Sequence, residues 1–236
     1  MGMIVWQDFV NVGDYKMLSD SIFPFLNKRN NKVFGKKMKE KAKESFIFHV
    51  EEAIAALENY PCICLWTIFN EGWGEFDIKK MTQMVRDLDD TRFIDSASGW
   101  FYHDDENDFD SHHIYFKKLD FTKKPLKATI GKEKPLIISE FGGYNYKVPN
   151  HVYDNEHEFG YRKFDSLEEF NKAFKDLYEN EVIANMKYGI SGTIYTQLTD
   201  VEEEVNGILT YDRKVCKLDK DIAMNISNRL RRNAGK

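Results

Sequence analysis

Two glutamates in this chain each close an apolar run and are followed by glycine. The first lies in Leu65-Trp66-Thr67-Ile68-Phe69-Asn70-Glu71-Gly72-Trp73-Gly74, the second in Pro135-Leu136-Ile137-Ile138-Ser139-Glu140-Phe141-Gly142-Gly143-Tyr144. A carboxylate at the end of a buried strand loses its hydration unless partners replace it, so two such cases invite a functional explanation. Two carboxyl groups facing one glycosidic bond can break it. One attacks the anomeric carbon while the other protonates the leaving oxygen and then activates water, which requires a separation of about 5–5.5 Å. The residue types alone leave open which glutamate takes which role.

The elements that must carry these residues follow from the apolar pattern. Short, β-rich runs predict strands at Met3–Gln7, Ile63–Phe69, Arg92–Ser96, Ser111–Tyr115, Leu136–Glu140 and Gly192–Gln197. Helix-like segments separate them: Tyr15–Leu26, Lys39–Leu57, Phe76–Leu88, Leu167–Met186 and Asp219–Arg232. Phe46, Val50, Ile54 and Leu57 share one face of the second of these, and Asn59-Tyr60-Pro61 stops it. Ser166 with Glu169 forms a capping-box pattern. Tyr102–Asp110 and Tyr144–Asp165 read as loops, and long loops in compact domains are commonly functional. Alternating strands and helices predict an α/β fold on a parallel sheet, in a single domain.

Composition narrows the partners. The chain has 236 residues, 42% hydrophobic and 31% charged, enough for one sizeable core. A net charge of −5 gives no basic surface for nucleic acid. No apolar stretch approaches the roughly 20 residues of a membrane span, and Met1–Phe9 lacks the features of a signal peptide. Cys62, Cys64 and Cys216 fit neither a disulfide framework nor a zinc site; Cys62 and Cys64 alternate within an apolar run and read as reduced core residues.

Read together, these blocks resemble glycoside hydrolase family 2, the group of β-galactosidases, β-mannosidases and β-glucuronidases. The resemblance rests on Gly2-Met3-Ile4-Val5-Trp6-Gln7-Asp8-Phe9, Tyr60–Trp66 leading into Asn70-Glu71, His113-Ile114-Tyr115, Ser139-Glu140-Phe141-Gly142-Gly143, Gly192–Glu202 and Asn206-Gly207. It implies a (β/α)8 TIM barrel, here incomplete, with about six βα units corresponding to strands three to eight. It further implies a retaining, exo-acting β-glycosidase that works by double displacement, with Glu71 as acid/base, Glu140 as nucleophile, and no metal or other cofactor. Asn70 would bond the sugar 2-hydroxyl, Tyr115 would lie near the nucleophile, His113 on the same strand face would face the cleft, and Gln197, Asp8, Trp73 and Trp100 would contact the sugar.

The sequence departs from the family pattern in three places. Residues 1–236 read as one catalytic barrel domain without the first two βα units or the upstream β-sandwich domains, so the isolated chain is expected to hydrolyse little and to self-associate through exposed strand edges. Thr196 stands where many relatives place tryptophan. Asn206-Gly207-Ile208 stands where the family's glucuronidases carry their Asn-x-Lys element, which argues against a glucuronidase. A reading of a different class is a barrel remnant that does not hydrolyse and retains at most weak sugar binding.

Overall fold

All six predicted strands are strands in the computed structural model, which describes residues 2–12, 39–99 and 106–234. The chain is α/β and falls into two compact units, Met1–His112 and His113–Lys236. The predicted helix Tyr15–Leu26 and the start of the Tyr102–Asp110 loop lie outside the described residues.

The first unit is built on the sheet β1 (Val5–Asp8), β2 (Ile63–Asn70), β3 (Phe93–Ser98), all parallel. Helices α1 (Glu40–Leu57) and α2 (Ile78–Leu88) connect its strands. Phe46, Val50 and Ile54 of α1 are buried and Leu57 packs against the same core, as their spacing predicts. Within that core the Phe46 and Phe69 rings stack at 5.0 Å, and Phe9 stacks on Trp66 at 5.6 Å. Residues 106–108 finish the outer edge of β3 largely with side chains. Asp108 Oδ2 accepts from the Ile94 amide at 2.7 Å, Asn107 Oδ1 accepts from the Ser96 amide, and Ser96 Oγ donates to the Glu106 carbonyl at 3.1 Å. Arg86 holds Asp108 in turn, at 2.7 Å.

The second unit carries the sheet order β4 (Asp110–Ile114), β5 (Leu136–Gly142), β8 (Ile190–Thr196), the unit beginning within β4. The segment predicted as one long loop contains a short parallel pair, β6 (Tyr144–Asn145) and β7 (Arg162–Lys163). Helix α3 (Leu167–Leu177) starts where Ser166 Oγ accepts the Glu169 amide at 3.1 Å. It stops short of Met186, giving way to a wider turn over Tyr178–Val182 and a tighter one over Ile183–Tyr188. Helix α4 (Lys220–Asn233) is capped by Asp219, whose carboxylate accepts from Asp221 and Ile222. Asn171 joins the two helices, donating to the Lys217 carbonyl at 2.8 Å and accepting the Asp219 amide at 2.7 Å. Phe141, Phe170, Phe174, Leu177 and Ile226 form the apolar core between sheet and helices.

One expectation about cysteines needs correction. Cys62 is exposed, because β2 starts only at Ile63, and Cys64 is half-buried with its thiol donating to the Val5 carbonyl at 3.6 Å. Among the described residues no helix is long and apolar enough to cross a membrane.

The turns on the lower side of the first unit meet at Asp89. Its carboxylate accepts from Trp66 Nε1 at 2.8 Å, Arg92 Nη1 at 2.6 Å, and the Thr91 amide and hydroxyl at 2.9 and 2.6 Å. Burial opposes the charge, but these bonds from Thr91, Trp66 and Arg92 outweigh it and bring the pKa down to about 2. A lowered folded-state pKa gives stability that is complete above the unfolded value of about 4 and is lost as pH falls through the folded one. Asp89→Asn should therefore cost about 2–3 kcal/mol in urea unfolding at pH 7, and about half of that by pH 3. A penalty independent of pH would contradict the role of the charge.

Candidate active site

Glu140 reaches its position through an irregularity in β5. Strand alternation alone would place it on the face of Leu136 and Ile138, which line the apolar core. The register against β8 runs Ile138↔Thr193 and then Phe141↔Tyr195, so β5 carries one extra residue there. This bulge lets Phe141 take the core face and releases Glu140 from it. A carboxylate left among Phe170 and Phe174 would be costly, and the bulge avoids that cost.

Glu140 is half-buried, and two residues of the predicted site address the same oxygen. Tyr115 Oη donates to Oε2, and His113 Nδ1 lies 3.5 Å from it with the imidazole fully buried. His113 and Tyr115 are two residues apart and reach the carboxylate together, as strand periodicity predicts. The Tyr115 oxygen also sits 3.0 Å from Thr196 Oγ1, whose hydroxyl can donate to it. Burial, then the charge of Glu140, then Tyr161 push the Tyr115 pKa far above the usual phenol range. The phenol therefore keeps its proton and acts as a fixed donor. His112, on the opposite strand face, pairs with Asp110 Oδ1 at 3.0 Å.

In the first unit, Glu71 follows directly on β2. Its amide donates to the Ser98 carbonyl at 2.8 Å, and its backbone is left-handed at φ 52°, a region that costs a non-glycine residue about 1–2 kcal/mol. Such strain is kept where the neighbouring structure over-determines it, and it clusters at functional sites. The tight exit continues with Gly72 at φ 72° and Gly74 at φ 70°, and the Trp73 amide donates to the Asn70 carbonyl at 2.9 Å. Asn70 Oδ1 is buried and has no hydrogen-bond partner among the described residues. Trp73 is half-buried beside it in the turn, Asp8 is exposed at the end of β1 in register with Thr67, and Trp100 lies outside the described residues.

Gln197 follows β8, and its side chain is engaged by the loop beyond that strand. Its amide donates to Glu204 Oε2 and to Asn206 Oδ1, both at 2.7 Å. Burial raises the pKa of Glu204, and the bonds from Gln197 and Asn206 partly offset this.

Three parts of this arrangement escape a reading of the sequence. Tyr161 stacks flat on Tyr115, with centroids 3.9 Å apart and planes 5° apart; only its place in a long loop hinted at a role. Gly143 makes this possible: at φ 63°, a Cβ there would lie 2.2 Å from the Tyr161 ring. Thr196 supplies a hydroxyl where a tryptophan side chain was the family expectation. The third part is the fully buried pair Lys217–Asp200, at 2.7 and 3.0 Å. Lys217 also donates to the carbonyls of Tyr146 and Val205, and Asp200 accepts the Gly207 amide at 2.8 Å. Burial lowers the Lys217 pKa and raises that of Asp200, while each partner pulls the other back. The pair thereby fixes the loop that bears Glu204 and Asn206.

Comparison with known proteins follows the same line. The family described as glycosyl hydrolases family 2, TIM barrel domain, matches residues 12–222. The chain is similar to a β-glucuronidase of Bacteroides uniformis, at 16% identity and a TM-score of 0.58, covering 81% of this chain and 26% of that one. It is also similar to a β-D-glucuronidase of Dictyoglomus thermophilum, at 19% identity and TM-score 0.54, covering 85% and 37%. A family 2 β-galacturonidase of Eisenbergiella tayi, solved with galacturonate, matches at 19% identity and TM-score 0.54, covering 81% and 37%. The chain thus spans about a quarter to just over a third of these solved relatives. No curated protein matches the sequence.

Removing one member of the buried pair strands the other charge. Lys217→Met should cost about 3–5 kcal/mol in urea unfolding, whereas Lys217→Met with Asp200→Asn should recover most of the loss. Equal destabilisation in the single and double variants would show that packing, and not charge, holds this loop.

Proposed function

The chain belongs to glycosyl hydrolase family 2, and from that premise we propose that its site serves a retaining, exo-acting β-glycosidase with Glu140 as nucleophile and Glu71 as acid/base. The observation that carries this reading is the ordered Glu140 carboxylate, turned out of the core by a bulge and held at one oxygen by Tyr115 and His113.

The steps follow from what each group can do. Glu140 attacks the anomeric carbon of the terminal sugar as Glu71 gives its proton to the departing glycosidic oxygen, leaving a glycosyl ester on Glu140. Glu71, now a carboxylate, takes a proton from water, the hydroxide adds to the same carbon, and Glu140 is released as a carboxylate. Tyr115 keeps its proton throughout, so its role is to orient Glu140 and to stabilise its charge when the ester breaks. Buried His113 packs on the same oxygen and limits rotation of the carboxylate. Asn70 Oδ1, buried and unpaired among the described residues, is suited to accept from the 2-hydroxyl. Asp8, Trp73 and Trp100 remain proposed sugar contacts, and Gln197 would act through the acceptor surface it forms with Glu204. With Asn206-Gly207-Ile208 after β8, a glucuronide is the less suited substrate.

Activity is to be assayed with nitrophenyl β-galactoside, β-mannoside, β-glucoside and β-arabinoside. Glu140→Ala should lower turnover at least ~10³-fold, and azide should rescue it by forming the α-glycosyl azide. Glu71→Ala with azide should give the β-glycosyl azide instead. Substantial hydrolysis by Glu140→Ala without azide would rule out the nucleophile assignment. Tyr115→Phe should lower kcat about 10- to 100-fold, the worth of one hydrogen bond to a charged group. An unchanged kcat would remove Tyr115 from the mechanism.

A further inference from the structure

Beside Glu140 lies a group of aromatic rings whose outer members are exposed. Phe116 is 79% exposed and Phe159 is 52% exposed. Both meet the ring of Tyr161 edge-on, at 5.1 and 5.7 Å, and Tyr161 itself lies flat on Tyr115, the donor to Glu140. The rings therefore continue outward from the nucleophile.

Their backbone is firmly held. The Phe159 amide donates to the Glu203 carbonyl at 2.7 Å, its carbonyl accepts from Asn145 Nδ2 at 2.7 Å, and the Tyr161 amide donates to the Gly143 carbonyl at 3.3 Å. At Gly160 a Cβ would fall 1.6 Å from Asn145 Oδ1, so the loop runs tight against buried Asn145. The faces of Phe116 and Phe159 that do not meet Tyr161 are presented on a fixed backbone and are open to a ligand. The Phe159 backbone also bridges to Glu204, which ties the segment bearing the ring to the loop after β8. Flat apolar faces match the C–H face of a pyranose ring or the face of an aryl ring.

We propose that Phe116, Tyr161 and Phe159 form a stacking platform for the leaving-group portion of the substrate, a flat-faced moiety such as a second pyranose or an aryl ring. The inference rests on the glycosidase reading for its direction. The sugar attacked at its anomeric carbon has to be enclosed, whereas these rings open to solvent and suit the part that departs. Such a platform binds without taking part in proton transfer. Its loss should raise KM and leave kcat nearly unchanged.

The test compares three substrates sharing one sugar, with nitrophenyl, pyranosyl and methyl leaving groups. Phe159→Ala and Phe116→Ala truncate exposed side chains, and an unchanged Tm checks that the fold is kept. The platform predicts about a 10-fold rise in KM for the nitrophenyl and pyranosyl substrates, none for the methyl glycoside, and recovery in Phe159→Trp. A rise for nitrophenyl alone would assign the platform to aryl groups, and a rise for both would assign it to flat faces in general. Equal effects on all three substrates, no effect on any, or a shift only in self-association would overturn it. If no glycoside is hydrolysed, saturation-transfer NMR with phenyl β-glycosides separates the two readings. Saturated aryl protons that fade in Phe159→Ala would keep the platform while the hydrolase reading falls; unsaturated aryl protons in the native chain would overturn the platform.

Discussion

A strand that builds a hydrophobic core offers one face to apolar neighbours and the other to whatever chemistry the protein needs. In β5 this division conflicts with the sequence, because Leu136, Ile138 and Glu140 share a parity. The conflict is resolved by one additional residue between Ile138 and Phe141, at the loss of regular pairing with β8. Phe141 then closes the core against Tyr178 and Tyr195, and Glu140 meets Tyr115 and His113. Every other feature of this half of the site depends on that shift in phase.

How Glu140 is supported shows the same economy. Three groups from two stretches, His113 and Tyr115 at the end of β4 and Thr196 at the end of β8, are linked through one oxygen and one phenol. The phenol is dry enough to hold its proton across the working pH range. The outer side of that phenol is covered by Tyr161, which can approach only because Gly143 has no side chain. The loop after β8 is pinned in turn by Lys217, which contacts an acid and two carbonyls in the protein interior.

Much of this was legible from residue types. The strands were readable because each is a short apolar run, and Asn70-Glu71 and Ser139-Glu140 stood out as acids at strand ends. His113 and Tyr115 could be paired because two residues along a strand return to the same face. What could not be read depends on contacts between residues distant in sequence. Lys217 is unremarked among many lysines until Asp200 is seen against it, and Tyr161 gains meaning only from its contact with Tyr115. Cys62 illustrates the opposite error: alternation suggested a core position, but the strand begins one residue later. The contacts of Gln197 with Glu204 and Asn206 depend on how the chain turns after β8, which local pattern does not encode.

The margin of β3 that does not pair with β2 has a further consequence for how its main chain is satisfied. Two of its main-chain amides, at Ile94 and Ser96, are engaged by side-chain oxygens of Asp108 and Asn107. Ile94 and Ser96 are fully buried, so either amide left unbonded would cost about 1–3 kcal/mol. Asp108 and Asn107 thus stand in, along this stretch, for the rungs that a neighbouring strand would supply, and Arg86 steadies the first of them.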